Sequence, residues 1–476
     1  MKNYPIFFLL MLFSLTTVAQ QYAGNWEGKL NIKGRKLTLI FHITPLSDNN
    51  YSVTMDIPEQ KLFNSNANSV IATDEKIEIK FSAFGINVNG TLDGADKLKS
   101  VLEQTGASFQ FELKNKGAVT SGKTFNRPQT PKPPYPYCIE DVEFDNSDGS
   151  IHFGGTLTYP RGGAKYPTIL LITGTGSQDR DENIFDHKPF AILADQFTKA
   201  GYAVLRVDDR GIGKTSSNSS QLSITTNELA EDVEAALWFL KMRKEVDTSQ
   251  LGLLGHSEGG MIAAMVASKR KDINFIILMA APVTDPLDLA EEQSADFLLS
   301  QGVPKSTVNE FRPMARDIIT AILSAPDNAT ALKNASDVFT KWEATHSRKT
   351  IRLTTGVKDE KSMKTFIGRL VSQWTTPRNR YFMKLQPADY YKSLSCRVFA
   401  VYGEKDFQVN SETNSKLLTQ YIDPAKLKIR ILSGMNHLFQ ACKKCTLSEY
   451  SDLEQTLAPA FLEVMGVWAK EAVKFD

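Results

Sequence analysis

The residues best placed to do chemistry are Leu253-Leu254-Gly255-His256-Ser257-Glu258-Gly259-Gly260, set between two apolar runs, Leu251 to Leu254 and Met261 to Ala267. A serine raised on a tight turn between a strand and a helix needs glycines two residues to either side, because side chains there would meet the crossing backbone. The helix that follows aims its first N–H groups, and the positive end of its dipole, at the serine oxygen. Such a serine is a nucleophile if a base takes its proton and an acid holds that base in the right tautomer. Two later segments supply those types. Val401-Tyr402-Gly403-Glu404-Lys405-Asp406 puts an aspartate just past an apolar run, and Leu432-Ser433-Gly434-Met435-Asn436-His437 puts a histidine just past the next.

For Ser257, Asp406 and His437 to meet, the strands before them must lie side by side and parallel, since functional groups of parallel sheets gather at the carboxyl ends of the strands. The chain beyond residue 138 has that rhythm. Strand-like runs fall at 142–144, 151–159, 168–173, 203–207, 251–254, 273–280, 398–402 and 427–432. Helical patterns at 189–200, 226–243, 259–269 and 411–421 separate many of them, and a last helix is expected from about Leu447 to Val473. Alternating strands and helices predict a mostly parallel sheet with helices on both faces. From about 285 to 395 the strands stop. Apolar stripes from Leu287 to Leu299 and from Phe311 to Leu323 predict a helical insertion, read as a cap over the site.

Ahead of this lies a different pattern. Between 20 and 125, apolar residues alternate with polar ones, as in Leu37-Leu39-Phe41-Ile43 and Tyr51-Val53-Met55-Ile57, with polar turns such as Ser47-Asp48-Asn49-Asn50 between them. That is a small antiparallel all-β domain, a barrel or a sandwich. His42 reads as an ordinary strand histidine. Five prolines between Pro128 and Pro136 predict a stiff linker over 126–137.

At 476 residues the chain has room for two or three domains, and a net charge of +1 gives no reason to expect a nucleic-acid partner. Lys2 followed by the apolar run Ile6 to Phe13, and small residues through Ala19, predict a cleaved signal peptide over 1–19. The protein is then periplasmic or secreted, with no stable membrane insertion after cleavage. Export permits disulfides. Cys442-Lys443-Lys444-Cys445 is expected to form a local disulfide or to carry two free thiols, and Cys138 and Cys396 have no readable pairing.

Residues 138–476 resemble the α/β-hydrolase family. Thr173-Gly174-Thr175-Gly176, Gly255-His256-Ser257-Glu258-Gly259, Gly403-Glu404-Lys405-Asp406 and Gly434-Met435-Asn436-His437 match it in order and spacing, and Asp209-Arg210-Gly211-Ile212-Gly213 resembles a turn its members often carry. More narrowly, Gly174-Thr175-Gly176-Ser177-Gln178-Asp179-Arg180-Asp181 is similar to a loop of bacterial EstD-type carboxylesterases, which also carry a β-rich N-terminal domain. The family's usual His-Gly is Thr173-Gly174 here. The resemblance implies that Ser257 attacks, His437 is the base and Asp406 orients it. The N–H groups of Glu258 and Thr175, with Gly176 close behind, would form the oxyanion hole, and no metal or organic cofactor is needed.

Other assignments compete with these. Asp285 and Asp288 follow the sixth strand, where some members place the acid. Asp208 and Asp209 read as turn organisers. Asp179, Arg180 and Asp181 either face substrate or hold the loop by an internal ion-pair network, and His187 either lines the substrate site or sits at the surface. His256 is expected to point away from the serine oxygen, and His152 and His346 have no motif around them. The expected activity is hydrolysis of small or medium carboxylic esters. A prolyl-oligopeptidase-type serine peptidase is the alternative enzyme, although no propeller repeat is visible. A non-catalytic binding protein would ordinarily have lost one of the three residues.

Overall fold

The computed structural model describes residues 21–472 apart from 33–34, 46–50, 61, 68, 82–85, 105–106, 118–125, 221–222 and 447–448. The expected signal peptide and the turn at 47–50 lie outside the described residues. The chain divides into two compact units, 1–124 and 125–476.

The first unit is nine strands: β1 (Gly24–Ile32), β2 (Arg35–Pro45), β3 (Tyr51–Ile57), β4 (Leu62–Asn66), β5 (Ser69–Ala72), β6 (Lys76–Phe81), β7 (Ile86–Leu92), β8 (Lys97–Gln104) and β9 (Ala107–Asn115). Each described neighbour pair is antiparallel, in the order β4-β3-β2-β1-β9-β8-β7-β6-β5. The two ends of that order are consecutive in the chain, and the Ala67 N–H between them donates to the Val53 carbonyl at 2.8 Å. The sheet therefore curls into a barrel. Its interior holds the alternating residues that defined the strands, among them Trp26, Leu39, Phe41, Ile43, Met55, Ile79 and Val88. His42 points the other way along β2 and bonds Asn25 and Asp56 through its two ring nitrogens, at 2.6 and 3.0 Å.

The second unit is built on β10 (Cys138–Asp145), β11 (His152–Tyr159), β12 (Tyr166–Ile172), α1 (Pro189–Lys199), β13 (Ala203–Val207), α2 (Thr226–Lys241), β14 (Val246–His256), α3 (Glu258–Ala267) and β15 (Ile273–Met279). A helical insertion follows: α4 (Pro286–Ser300), α5 (Lys305–Leu323), α6 (Asn328–Glu343), α7 (Arg348–Thr355), α8 (Glu360–Trp374), α9 (Pro377–Phe382) and α10 (Pro387–Lys392). Then come β16 (Arg397–Gly403), α11 (Ser411–Tyr421), β17 (Leu427–Leu432) and α12 (Pro459–Ala472). The sheet order is β10-β11-β13-β12-β14-β15-β16-β17, parallel from β13 to β17. The central strands end in buried apolar runs, 169–172, 251–254 and 275–279 among them, because helices cover both faces. One core joins the sheet to α2, α3 and α11, and the other joins it to α1 and α12. The insertion has a core of its own around Phe311, Ile318, Phe339 and Phe366.

Two expectations change. The last helix begins at Pro459 rather than near Leu447. Proline disfavours helical conformation in the residue before it, and the preceding Thr456 and Leu457 N–H groups donate instead to the Gln129 side chain, at 2.7 and 3.0 Å. The proline-rich stretch also packs on the second unit. Arg127 donates to the carbonyls of Phe185 (2.9 Å), Ser451 (3.1 Å) and Leu453 (2.7 Å).

Candidate functional site

The serine turn lies where β14 ends and α3 begins, and its backbone is unusual. Ser257 has φ 52° and ψ −124°, a conformation that side chains other than glycine rarely adopt. The turn fits only because its neighbours lack side chains. A Cβ on Gly255 would lie 2.1 Å from the Gly259 carbonyl oxygen, and one on Gly259 would lie 2.3 Å from that of Ile172. β12, which carries the loop after Ile172, is thereby drawn against the turn.

Asp406 and His437 follow the two strands beyond β15, and their loops are locked together. Gly403 passes so close to Met435 that a Cβ would fall 2.5 Å from its carbonyl oxygen, and the Lys405 N–H donates to that same oxygen at 2.9 Å. Asp406 Oδ2 is 2.7 Å from His437 Nδ1. Its other oxygen accepts the N–H groups of Gln408 (2.8 Å) and Val409 (3.0 Å). Both side chains are buried. The Asn436 side chain accepts the N–H groups of Leu438 and Gln440 at 3.0 Å each, which shapes the turn carrying His437.

On the other side of Ser257, Gly174 approaches closely: a Cβ there would sit 3.3 Å from Ser257 Cβ. The Gly174 N–H is committed to Glu182 Oε1 at 2.8 Å. Thr175 and Gly176 follow, both exposed, and Gly176 has φ +109°. Glu258, at the first position of α3, is buried with its carboxylate turned to three donors: Thr175 Oγ1 (2.8 Å), Thr226 Oγ1 (2.9 Å) and Arg378 Nη2 (2.6 Å). Arg378 comes from α9, so the insertion reaches the serine turn directly.

The remaining candidates scatter into structural roles. Arg180 pairs with Asp208 at 2.6 Å and reaches Asp141 at 3.3 Å. Asp179 accepts the N–H groups of Asp181 and Asn183, both at 3.0 Å, and burial raises its pKa. His187 is not at the surface. It is 2% exposed, and its ring meets Thr456 Oγ1, the Tyr450 carbonyl and Gln440; burial, helped by the charge of Arg127, lowers its pKa to about 4. Asp209 accepts from Thr173 Oγ1 and the Gln178 N–H, and burial pushes its pKa up to about 8. Asp285 caps α4 through the Leu287 N–H, and Asp288 pairs with Arg316. Cys442 and Cys445 form a disulfide, while Cys138 and Cys396 are free.

Three side chains at the site escape a motif reading: Glu182, Arg378 and the ring of His256. His256 Nδ1 is 2.9 Å from Glu182 Oε1, its Nε2 is 3.1 Å from the His437 carbonyl oxygen, and its ring centroid is 4.8 Å from that of His437. Of the three, only His256 lies within the serine motif, and its partners are not recorded there.

Residues 187–440, more than half of the chain, match the Hydrolase_4 family, described as serine aminopeptidase, S33. The chain belongs to this family. Outside it in name but similar in sequence, the esterase EstD of Thermotoga maritima is 24% identical over 352 residues, covering 69% of this chain and 71% of its own. The cutinase Est2 of Thermobifida alba is 29% identical over 144 residues, 30% of this chain and 43% of its own length. An esterase of Pyrococcus furiosus superposes with a TM-score of 0.43 at 15% identity, over 74% of this chain and 98% of that one. Among the described residues, no group of three or more His, Cys, Asp or Glu side chains is placed to hold a metal ion, and no helix is long and apolar enough to cross a membrane.

Proposed function

We propose that this member of the serine aminopeptidase family is an exported carboxylester hydrolase acting through Ser257, His437 and Asp406. The observation that carries the reading is the 2.7 Å contact of Asp406 with His437 Nδ1, since it leaves Nε2 as the basic nitrogen on the side away from the acid. Ser257 Oγ attacks the acyl carbon and its proton passes to His437 Nε2. The oxyanion that forms takes the N–H of Glu258 at the start of α3, and that of Thr175 or Gly176, because the Gly174 N–H is already spent on Glu182. Collapse expels the alcohol with the proton from His437, and water then repeats the sequence on the acyl-enzyme. The names of EstD and of the cutinase support ester chemistry. Export is supported by the sequence of residues 1–19 and by the Cys442–Cys445 disulfide.

The enzyme should cleave short-chain p-nitrophenyl esters and be labelled by a fluorophosphonate; failure of both ends the proposal. Ser257→Ala should lower kcat by on the order of 10⁶-fold. The family's description as serine aminopeptidase favours a second reading, hydrolysis of peptide bonds. Matched ester and amide substrates separate the two: turnover of amino-terminal peptide amides above that of esters would favour the peptidase.

A further inference from the structure

His256 does not merely turn aside from the serine. Its ring is 4% exposed and both nitrogens are occupied, Nδ1 by a Glu182 carboxylate oxygen and Nε2 by the backbone carbonyl of His437. The Glu182 oxygen in question already accepts the Gly174 N–H. Both partners are acceptors. A neutral imidazole has only one N–H to give, whereas the imidazolium has two. We propose that His256 is a buried cation, paired with Glu182, which acts as a positioning residue by tying the oxyanion loop at Gly174 to the loop that carries the base His437.

The charge balance around the ring supports this. The titratable groups that face it are Glu182 from the loop before α1, His437 from the loop after β17 and, farther off, Asp406 from the loop after β16. Burial works against the charge, but Glu182 by its charge and hydrogen bond, the His437 carbonyl and the charge of Asp406 outweigh it and raise the pKa. A raised pKa means that the bridge is complete at low pH and is lost as pH rises through the raised value. Losing one of the two N–H groups frees either the Gly174 side or the His437 side. Each would shift relative to Ser257, and misplacement of about 1 Å can cost about 10²-fold in rate.

The inference rests on the reading of Ser257 and His437 as nucleophile and base, yet its first test does not. Nitrogen-15 NMR of the full-length protein with labelled histidine should show both His256 nitrogens protonated at pH 7, with the resonances assigned by their loss in His256→Gln. A bare nitrogen on His256 would overturn the proposal whether or not any ester is cleaved. Kinetics test the positioning role. Glu182→Gln should move the alkaline fall of kcat to lower pH and lower kcat at pH 8 by on the order of 10-fold, with KM for a short ester little changed. A Glu182→Gln pH profile superimposable on that of the wild type would overturn it. His256→Gln, if it folds by thermal melt, should lose kcat across the whole pH range; unchanged kcat would overturn the role as well. If the wild-type protein cleaves no ester, the functional reading fails while the NMR result still decides the charge.

Discussion

At Ser257 the backbone stores strain that would aim the proposed nucleophile. A non-glycine residue at φ 52° and ψ −124° costs on the order of 1–3 kcal/mol, and it persists because β14, α3 and the Gly174 loop leave the turn no other path. Around it, each reactive group is oriented by a neighbour that does no chemistry itself. Asp406 is fixed by two backbone N–H groups before it meets His437, so in the proposed mechanism it selects a tautomer and supports the imidazolium. Asp406→Asn should therefore fold normally, as followed by circular dichroism, and lose about 10⁴-fold in kcat. Motif spacing found Ser257, Asp406 and His437 because each follows its own strand within a few residues. It could not find Glu182. That carboxylate meets His256 across 74 residues of chain, and no local pattern records the meeting.

At the scale of elements, α9 has an influence out of proportion to its six residues. Its Arg378 donates to the Glu258 carboxylate and to the Ile224 carbonyl ahead of α2, pinning the insertion to the serine turn. Both side chains are largely buried, 14% and 4% exposed. Removing one partner of a buried pair leaves a charge uncompensated, so Arg378→Gln should destabilise the protein by about 3 kcal/mol in urea unfolding. The paired variant Arg378→Gln with Glu258→Gln should recover part of that loss, because no lone charge remains. The insertion was legible as helical from its stripes, but its seven described helices were not, since short helices such as α9 and α10 are set by Thr376, Pro377 and Pro387 rather than by periodicity. Strands fared better. The central ones carry buried apolar runs, and a run of that kind between turn residues has few other places to go.

Across the whole molecule the two units keep separate cores, one lined by Trp26, Phe41 and Met55, the other spread over both faces of the parallel sheet. Protein beginning at Asn126 should accordingly fold alone and keep its kcat for p-nitrophenyl acetate within about twofold; a truncated form without a cooperative melt would contradict this. Alternation made the barrel strands legible in the sequence, while their closure was not. Closure depends on β4 and β5, the first and last strands of the sheet order, being consecutive in the chain. The proline-rich stretch was legible as a boundary, but its bonds to the second unit were not, because the partners of Arg127 and Gln129 in that unit lie 58 to 328 residues away.

That anchor has a mechanical consequence. A pull entering the chain ahead of Asn126 meets the hydrogen bonds that Arg127 and Gln129 make with Phe185, Ser451, Leu453, Thr456 and Leu457. Bonds loaded in parallel share a force, whereas a strand peeled from one end breaks them singly. The stretch should thus act as a strain relief, like the clamp where a cable enters a housing, with tension on residue 126 shared among the bonds of residues 127–129.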